Sequence, residues 1–483
     1  MFHSPYLRRS LPQVGFALVL FFTLVPAAQA AELAIHVADG VLLATESDGI
    51  YGEAFAVPEE LISALLQTPV GAELSVLGLP TAPGERRTIV LERREPWAPG
   101  ARLIQIADGI ESELPKGKRL HFIGEDPTDP QWRLGLILDP DTGQLEGVSR
   151  GPEVSYEIFR EGGSYEISHL ERRAKALGLK QGCHQGDLQA STVAGPTYPL
   201  GQPLLDMQSK AALPSPKLGG DPTYQGIIAL DTDNEFHDKK FDNDTTEATD
   251  WIESLFTTMN VLYERDLDLR LVIGDTTFRL DTDPSPTYDD DPWVVGGSGA
   301  SSAQLSEFGT YWSINMGGVD RMFAALLSGK SSSGFSASGI AWVDGYCETQ
   351  SVGGGYSINQ IFTGNVAVSN DARLVGHELG HNFGSSHTHC YNPPIDTCYG
   401  VESGCYSGST SCPSAGSGTL MSYCNFSTGC NTANRLELHP TVMSLMEGFR
   451  DSHYPGCVTD YMPPGTIFED GFESGNTTAW TGS

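Results

Sequence analysis

The chain has 483 residues, 39% of them hydrophobic, which is long enough to bury a substantial core and to divide into two or three units. Its 61 acidic residues outnumber its 29 basic ones and give a formal net charge of −32. This charge argues against nucleic acid as a partner, because phosphate binding requires a basic surface. Acidic loops such as residues 231–244 are either solubilising or candidate sites for structural Ca²⁺, but they lack the ligand spacing of an EF-hand.

The first thirty residues have the pattern of a secretory signal peptide. Arg8 and Arg9 precede an apolar run at 14–25, and Ala28-Gln29-Ala30 has the small-x-small form of a signal-peptidase site. The apolar run is shorter than the roughly 20 residues that a membrane span needs. The sequence therefore predicts a secreted protein, with a signal peptide at 1–30 and no membrane contact after its removal.

Residues 31–187 predict a β-rich unit. Short runs with β character lie at 33–37, 88–91, 134–138 and 154–159, separated by Gly, Pro and Asp turns. Residues 188–222 are rich in Pro, Gly, Ser and Ala, a composition typical of linkers. We expect a domain boundary in this linker.

Beyond the linker the pattern changes to α/β (α+β). A strand is predicted at 224–230, a helix at 246–263 and a strand at 267–273, and a further helix and strand are predicted at 303–312 and 339–346. Residues 458–483 form a short acidic and aromatic tail, which is either a C-terminal extension or an extra β-segment.

Cysteine is concentrated in the C-terminal third of the chain. Of nine cysteines one, Cys183, stands alone, and the other eight are Cys347, Cys390, Cys398, Cys405, Cys412, Cys424, Cys430 and Cys457. In an exported protein these eight predict up to four disulfides, whose connectivity has 105 alternatives that the sequence does not separate.

The stretch GHELGHNFGSSH, residues 376–387, crowds three histidines and a glutamate together. A helix is predicted at 372–383, with Asn370 or Asp371 as its N-cap and Gly384 as its stop. Within this helix the apolar side chains at 375, 379 and 383 form one buried stripe. The two histidines at 377 and 381 project from roughly the opposite face.

This spacing is typical of a catalytic zinc site. His377 and His381, one helical turn apart, supply two ligands, and a sharp turn at Gly384 returns His387 as the third. The fourth position stays open for water. Glu378 cannot bind the same ion but can reach that water as a general base, which predicts peptide hydrolysis without a covalent intermediate.

His377-Glu378-x-x-His381-x-x-Gly384-x-x-His387 resembles the long zinc signature of the metzincin metalloproteases. Met421, in GTLMSYC, is similar to the methionine of their Met-turn, and residues 222–457 resemble the adamalysin (reprolysin) branch. The resemblance implies a secreted zinc endopeptidase acting on proteins or peptides. It also implies a mixed twisted sheet, an edge strand at 339–346 that binds extended substrates, and a disulfide between Cys347 and Cys457.

Two positions depart from the adamalysin pattern. Thr388 stands where adamalysins usually have Asp, and Tyr423 is similar to a tyrosine of astacins and serralysins that supports the zinc and the oxyanion. The alternative for Tyr423 is a core aromatic. No disintegrin-like module follows Cys457, which argues against cell adhesion.

The resemblance also implies a role for Cys183. Metzincin zymogens keep a propeptide thiol on the open zinc position, so the β-rich unit is predicted to be a propeptide with Cys183 as an inhibitory switch. The alternative is an unpaired or intermolecular cysteine. Two other functions stay open for the chain, a zinc hydrolase of cell-wall amide bonds and an inactive binding module. The sequence does not define the oligomeric state.

Overall fold

The computed structural model describes residues 31–463 except 38–40, 45–50, 180, 184–219, 281–290, 296–298, 331–336, 346, 364–366, 427–429 and 431. The predicted signal peptide, most of the predicted linker and most of the tail therefore lie outside the described residues. We call residues 31–179 the N-terminal unit and residues 220–463 the C-terminal unit.

The N-terminal unit is rich in β-strands, as its composition predicts. Its described elements are β1 (Ala31–His36), β2 (Val41–Ala44), β3 (Tyr51–Phe55), α1 (Glu59–Gln67), β4 (Glu73–Ala82), β5 (Glu85–Arg94), β6 (Leu103–Ala107), β7 (Ile110–Glu113), β8 (Leu120–Asp126), β9 (Asp129–Leu138), β10 (Leu145–Gly151), β11 (Val154–Glu161), β12 (Ser164–His169) and α2 (Leu170–Ala176). The four predicted β runs fall on β1, β5, β9 and β11.

Ten of these strands form one sheet, in the order β1-β4-β5-β8-β9-β10-β11-β12-β3-β2. Neighbours pair antiparallel apart from β1 and β4, which are parallel. Side chains alternate between the core and the surface: in β5, Ile89 and Leu91 are fully buried, whereas Thr88, Val90 and Glu92 beside them are partly exposed. The strands β6 and β7 are not in this sheet.

The C-terminal unit is a mixed α/β structure, as predicted. It is preceded by β13 (Gln181–Cys183) and contains β14 (Tyr224–Thr232), α3 (Asn234–Phe241), α4 (Thr245–Leu267), β15 (Leu269–Leu280), α5 (Ser302–Asn315), β16 (Phe323–Ser328), β17 (Ala337–Ala341), β18 (Tyr356–Gln360), α6 (Val368–Asn382), α7 (Pro440–His453) and β19 (Val458–Asp460).

The second sheet draws strands from both units. Its order is β13-β17-β18-β16-β14-β15-β6-β7, with β19 also paired to β14. The strands β14, β15, β16 and β18 are parallel, whereas β17 runs antiparallel to β18. The C-terminal tail thus begins with an extra β-segment, since β19 follows Cys457.

Local capping sets the helix boundaries. Asp244 accepts hydrogen bonds from the backbone N–H groups of Thr246 and Glu247 and starts α4. The helix continues to Leu267, four residues beyond its predicted end, because its last turn is buried on several sides. None of the helices in the described residues combines the length and the apolar character that a bilayer crossing requires.

The strand predicted at 339–346 is shorter in the structure. It ends at Ala341, and Asp344 has a positive φ of 63°. The backbone N–H groups of Asp344 and Gly345 donate to the carbonyls of His381 and Asn382 at the end of α6. The chain leaves the sheet there because the last carbonyls of a helix need donors.

Disulfides link the eight cysteines of the C-terminal third. The pairs are Cys347–Cys457, Cys390–Cys405, Cys398–Cys424 and Cys412–Cys430. The first pair, which the family resemblance implies, is confirmed. It fixes the loop after β17 to the end of the C-terminal unit.

Candidate active site

The helix α6 carries the predicted histidines, but its start differs from the prediction. It begins at Val368, so Asn370 and Asp371 lie inside it. The prediction of either as N-cap is wrong, because the Asp371 carboxylate instead accepts from the Phe362 backbone N–H at 2.8 Å and from Lys240 at 3.1 Å. The Asp371 carboxylate, which the local sequence pattern predicts as an N-cap, thus binds residues outside the helix instead.

The predicted apolar stripe and the predicted stop agree with the structure. Val375, Leu379 and Phe383 are buried in the largest hydrophobic core. Gly384 has a φ of +94°, a conformation that side chains rarely adopt, and it turns the chain directly after the helix. This turn sends His387 back toward α6.

The three imidazoles meet at one point. His377, His381 and His387 each offer a ring nitrogen, and these atoms all lie within 4.8 Å of one another. The Nε2 atoms of His381 and His387 are 3.1 Å apart. The Nε2 atom of His377 is buried and has no hydrogen-bond partner among the described residues. Converging, desolvated lone pairs are what a zinc ion requires.

The other ring nitrogen of each histidine is held by an acceptor. The Nδ1 atoms of His377 and His381 donate to the carbonyls of Leu420 and Ser385, both at 2.7 Å. A carbonyl only accepts, so Nδ1 carries the proton and Nε2 keeps its lone pair. Burial lowers the pKa of His377 to about 3 and that of His381 well below its usual value. Both imidazoles are therefore neutral and able to bind a metal.

Glu378 lies between the histidines and the edge strand. It is fully buried, and a Cβ added at Gly339 of β17 would collide with its carboxylate. The carboxylate thus faces the backbone of the strand predicted to hold substrate. A small cavity of about 20 Å³ extends beside it, lined among others by His377, Leu374 and Tyr423.

Met421 and Tyr423 pack beneath and beside the histidines. Met421 is fully buried, and a Cβ at Gly380 of α6 would collide with its sulfur. The Tyr423 ring is 1% exposed, and its centroid lies 3.9 Å from that of His387. Such close ring packing is expected both for a tyrosine that supports the zinc site and for a core aromatic, so it does not separate the two alternatives.

Thr388, which stands where adamalysins usually have Asp, is hydrogen-bonded to an aspartate eight residues further along the chain. The Thr388 backbone N–H donates to the Met421 carbonyl at 3.0 Å, and its hydroxyl lies 3.0 Å from that of Ser422. Both hydroxyls donate to the Asp396 carboxylate. Asp396 therefore links the residue after His387 to the residue after Met421, and no sequence spacing indicated this contact.

Glu402 is a second residue that the sequence analysis missed. Its carboxylate accepts from Nδ1 of His387 at 3.0 Å and from Nε2 of His389 at 2.8 Å. Burial raises the pKa of this carboxyl, but the bonds to His387 and His389 outweigh it and hold the pKa well below its usual range. An anionic Glu402 orients His387 with its Nε2 toward the other two histidines.

We expect Glu402→Gln to weaken zinc binding by roughly 10–100-fold, because an amide is a poorer and uncharged acceptor for His387. Zinc affinity is measured by competition with a chromogenic chelator. The matched control is Glu447→Gln on α7, whose carboxylate makes no hydrogen bond to a histidine in the described part of the chain. Equal affinities in the two variants would contradict a role for Glu402 in orienting His387.

Cys183 is placed beside the same site by its backbone. The strand β13 runs parallel to β17, with Gln181 opposite Ala337 and Cys183 opposite Gly339. Gly339 is the residue that contacts Glu378. The outer edge of β17 is thus covered by the segment that contains Cys183.

The predicted calcium loop is mainly engaged in other contacts. Asp231 forms a buried ion pair with Arg279 at 2.7 Å, and Asp233 caps α3. The carboxylates of Asp233, Glu235 and Asp291 come within 4.8 Å of one another. Such a group alone does not define a cation site, and calcium stays a prediction.

Comparisons with known proteins give a family match in the C-terminal unit. Residues 223–434 match a family model, Reprolysin_5, described as "Metallo-peptidase family M12". No curated protein matches. One similar solved chain, from "Structure of a chaperone-substrate complex", is 10% identical with a TM-score of 0.28 and covers 62% of this chain. This chain spans 41% of the length of that one.

Proposed function

Because its residues 223–434 belong to metallopeptidase family M12 of the reprolysin type, we propose that this chain is a secreted zinc endopeptidase made as a zymogen. The family implies a zinc-dependent peptidase that acts on proteins or peptides. The observation that carries the finer proposal is the convergence of three buried imidazoles next to a buried glutamate.

In this proposal His377, His381 and His387 hold the zinc through their Nε2 atoms. Zinc, when bound, supplies Lewis acidity and makes a water nucleophilic near neutral pH. Glu378 takes the proton from the attacking water and passes it to the leaving amine. The edge of β17 binds the peptide backbone in extended form, which sets the scissile carbonyl near Glu378.

The remaining residues of the site support these groups. Met421 fills the space under Gly380, and Gly384 makes the turn that brings His387 back. Tyr423 packs on the His387 ring and limits its rotation. These contacts keep the three ligands in one arrangement before zinc arrives, which raises the affinity of the site.

Secretion is proposed from the signal-like residues 1–30 together with the four disulfides, which are typical of oxidising compartments. The zymogen proposal is supported by the pairing of β13 with β17, since a substrate strand and β13 cannot occupy one edge together. The thiol of Cys183 is then the proposed inhibitory ligand of the zinc.

The proposed function is tested on the full chain after limited proteolysis within residues 188–222. We expect it to hydrolyse casein and to contain one zinc per chain, measured by inductively coupled plasma mass spectrometry. A chelator should abolish hydrolysis, and added Zn²⁺ should restore it. Cleavage of peptidoglycan with no cleavage of casein would favour the cell-wall amidase, and bound zinc with neither activity would favour a binding module.

We expect Cys183→Ser to raise the casein-hydrolysing activity of the uncut chain by about tenfold or more, because a hydroxyl is a much weaker zinc ligand than a thiolate. Without the thiol on the zinc, the three-residue strand β13 is expected to leave the edge of β17 more readily and to admit substrate. The control is Gln181→Ala, which changes the same strand and keeps the thiol. If both uncut variants stay as inactive as the parent chain, Cys183 is not the inhibitory group.

A further inference from the structure

The two units share one hydrophobic core, and we propose that the N-terminal unit stays bound to the C-terminal unit as a noncovalent subunit after the linker is cut. Only β13 and the residues near it then leave the edge of β17. This inference concerns association, and it holds whether or not the zinc site hydrolyses peptides.

The first observation is that the second sheet continues across the two units. The strand β6 pairs parallel with β15 from Thr276 opposite Leu103 to Leu280 opposite Ala107. Earlier in β15, the Ile273 backbone N–H donates to the Pro96 carbonyl at 2.9 Å, and the Ile273 carbonyl accepts from the Ala98 N–H at 2.8 Å. Departure of the N-terminal unit would leave this side of a twelve-residue strand without its ladder partner. An open edge of this kind is a site of aggregation.

The second observation is the burial of α4, which lies between the two sheets. Residues from Ala248 to Leu267 are buried with the exception of Asp250, so the helix is covered on all sides. Its outer face packs on β8, β9 and β10 of the N-terminal unit. Contact is close there, since a Cβ at Gly135 of β9 would lie 2.7 Å from a methyl of Val261.

The largest core cluster contains side chains from both units. Trp97, Leu103, Val148 and Leu170 of the N-terminal unit pack in it with the apolar residues of α4 and β15. Exposing a face of this size is unfavourable in water, and monomeric proteins rarely leave such a patch uncovered. The apolar contacts favour a lasting complex.

The third observation is charge complementarity within the buried contact. Acidic groups on α4 face basic groups on the N-terminal sheet. The Arg150–Asp266 pair is fully buried at 3.2 Å, and Arg133 contacts Glu264 at 3.3 Å. His121 and the Trp97 indole both contact Glu253. Charges placed so deeply need their partners, and together they fix one docking orientation.

The strand β13, which covers the edge of β17 at the candidate active site, is held by far fewer contacts than the rest of the N-terminal fragment. The strand β13 has three residues, and its described ladder is the pairing with β17. After a cut between 188 and 222 it becomes the end of the N-terminal fragment. A chain end with one short ladder frays readily, whereas a shared core does not. The cut can thus free the active site without releasing the unit.

The test uses the full chain with the recognition sequence of a site-specific protease inserted after Pro216. Glu378→Ala is included so that only the added protease cuts and peptidase activity plays no part. We expect both fragments to elute together at one-to-one stoichiometry in size-exclusion chromatography at micromolar concentration, in low and in high salt. Separate elution of two folded fragments without denaturant, judged by circular dichroism, would overturn the proposal.

A variant tests the contact itself. With the cut complex immobilised through the C-terminal unit, we expect Arg150→Met to speed loss of the N-terminal fragment by about 30-fold or more. Asp266 then loses the buried cation that the N-terminal unit supplies, and it keeps Arg265 and the Leu438 backbone N–H from its own unit. The control is Arg86→Met, whose partner Glu53 lies within the N-terminal sheet. Circular dichroism before the cut checks folding, and if Arg150→Met fails to fold, Val148→Ala at the same contact takes its place. Equal dissociation rates in the interface variant and the control would contradict the proposed docking surface.

Discussion

Glu378→Ala is expected to lower the turnover of the cut chain by roughly 10²–10⁴-fold, while the zinc content stays at that of the parent. The carboxylate is buried on α6 one residue after His377, and it lies against Gly339 of β17. Its removal takes away the proposed acceptor of the proton from the attacking water. The three Nε2 atoms proposed to hold the metal are unchanged.

The measurement combines initial rates on a fluorogenic peptide with metal analysis of the same sample. Glu378→Gln serves as the matched variant, since it keeps the shape of the side chain but cannot accept the proton. Both variants should be equally inactive and equally loaded with zinc. Loss of zinc from Glu378→Ala would show instead that Glu378 binds the metal or holds the helix in place.

Gly339→Ala is expected to lower kcat/KM by about 100-fold with little loss of zinc. A Cβ at this position would collide with the Glu378 carboxylate, so the general base must move away from its place beside the edge strand. A displacement of about 1 Å in a catalytic group is enough for a loss of this size. The substitution therefore tests the position of Glu378 without changing its chemistry.

The control for this variant is Gly448→Ala in α7, where an added Cβ meets no heavy atom within 4 Å among the described residues. We expect the turnover of this control to equal that of the parent. Its free energy of unfolding should equal that of the parent or exceed it by about 0.5–1 kcal/mol, since alanine favours the helix more than glycine does. Both proteins are assayed after the cut, so that β13 does not cover Gly339. Parental activity in Gly339→Ala would place the reacting carboxylate elsewhere.

The features that the sequence predicts well are those set by local spacing. Helical periodicity brings His377 and His381 to one face and Val375 to the other, and a positive φ at Gly384 follows from the absence of a side chain. The start of α6 is mispredicted because Asp371 is equally suited to a cap and to the contact with Lys240, and tertiary structure decides between them.

Long-range placements could not be predicted from periodicity. Glu402 and Asp396 lie in irregular loops held by the Cys390–Cys405 and Cys398–Cys424 disulfides, and nothing in their spacing relates them to His387 or Thr388. The same limit applies to β6, whose sequence LIQIA does not indicate which of the two sheets it joins. Its pairing with β15 depends on a partner more than 160 residues away in the sequence.

The position of α4 between the two sheets has a consequence for the stability of the proposed two-chain form. Tyr263 on this helix donates a hydrogen bond from its hydroxyl to the Gly376 carbonyl at 2.7 Å, one residue before the first zinc ligand. Through Tyr263, loss of the N-terminal unit from α4 disturbs α6 directly. If the proposed cut, two-chain form is the active one, mass action makes its unfolding temperature and working lifetime depend on protein concentration, and dilution is expected to inactivate it.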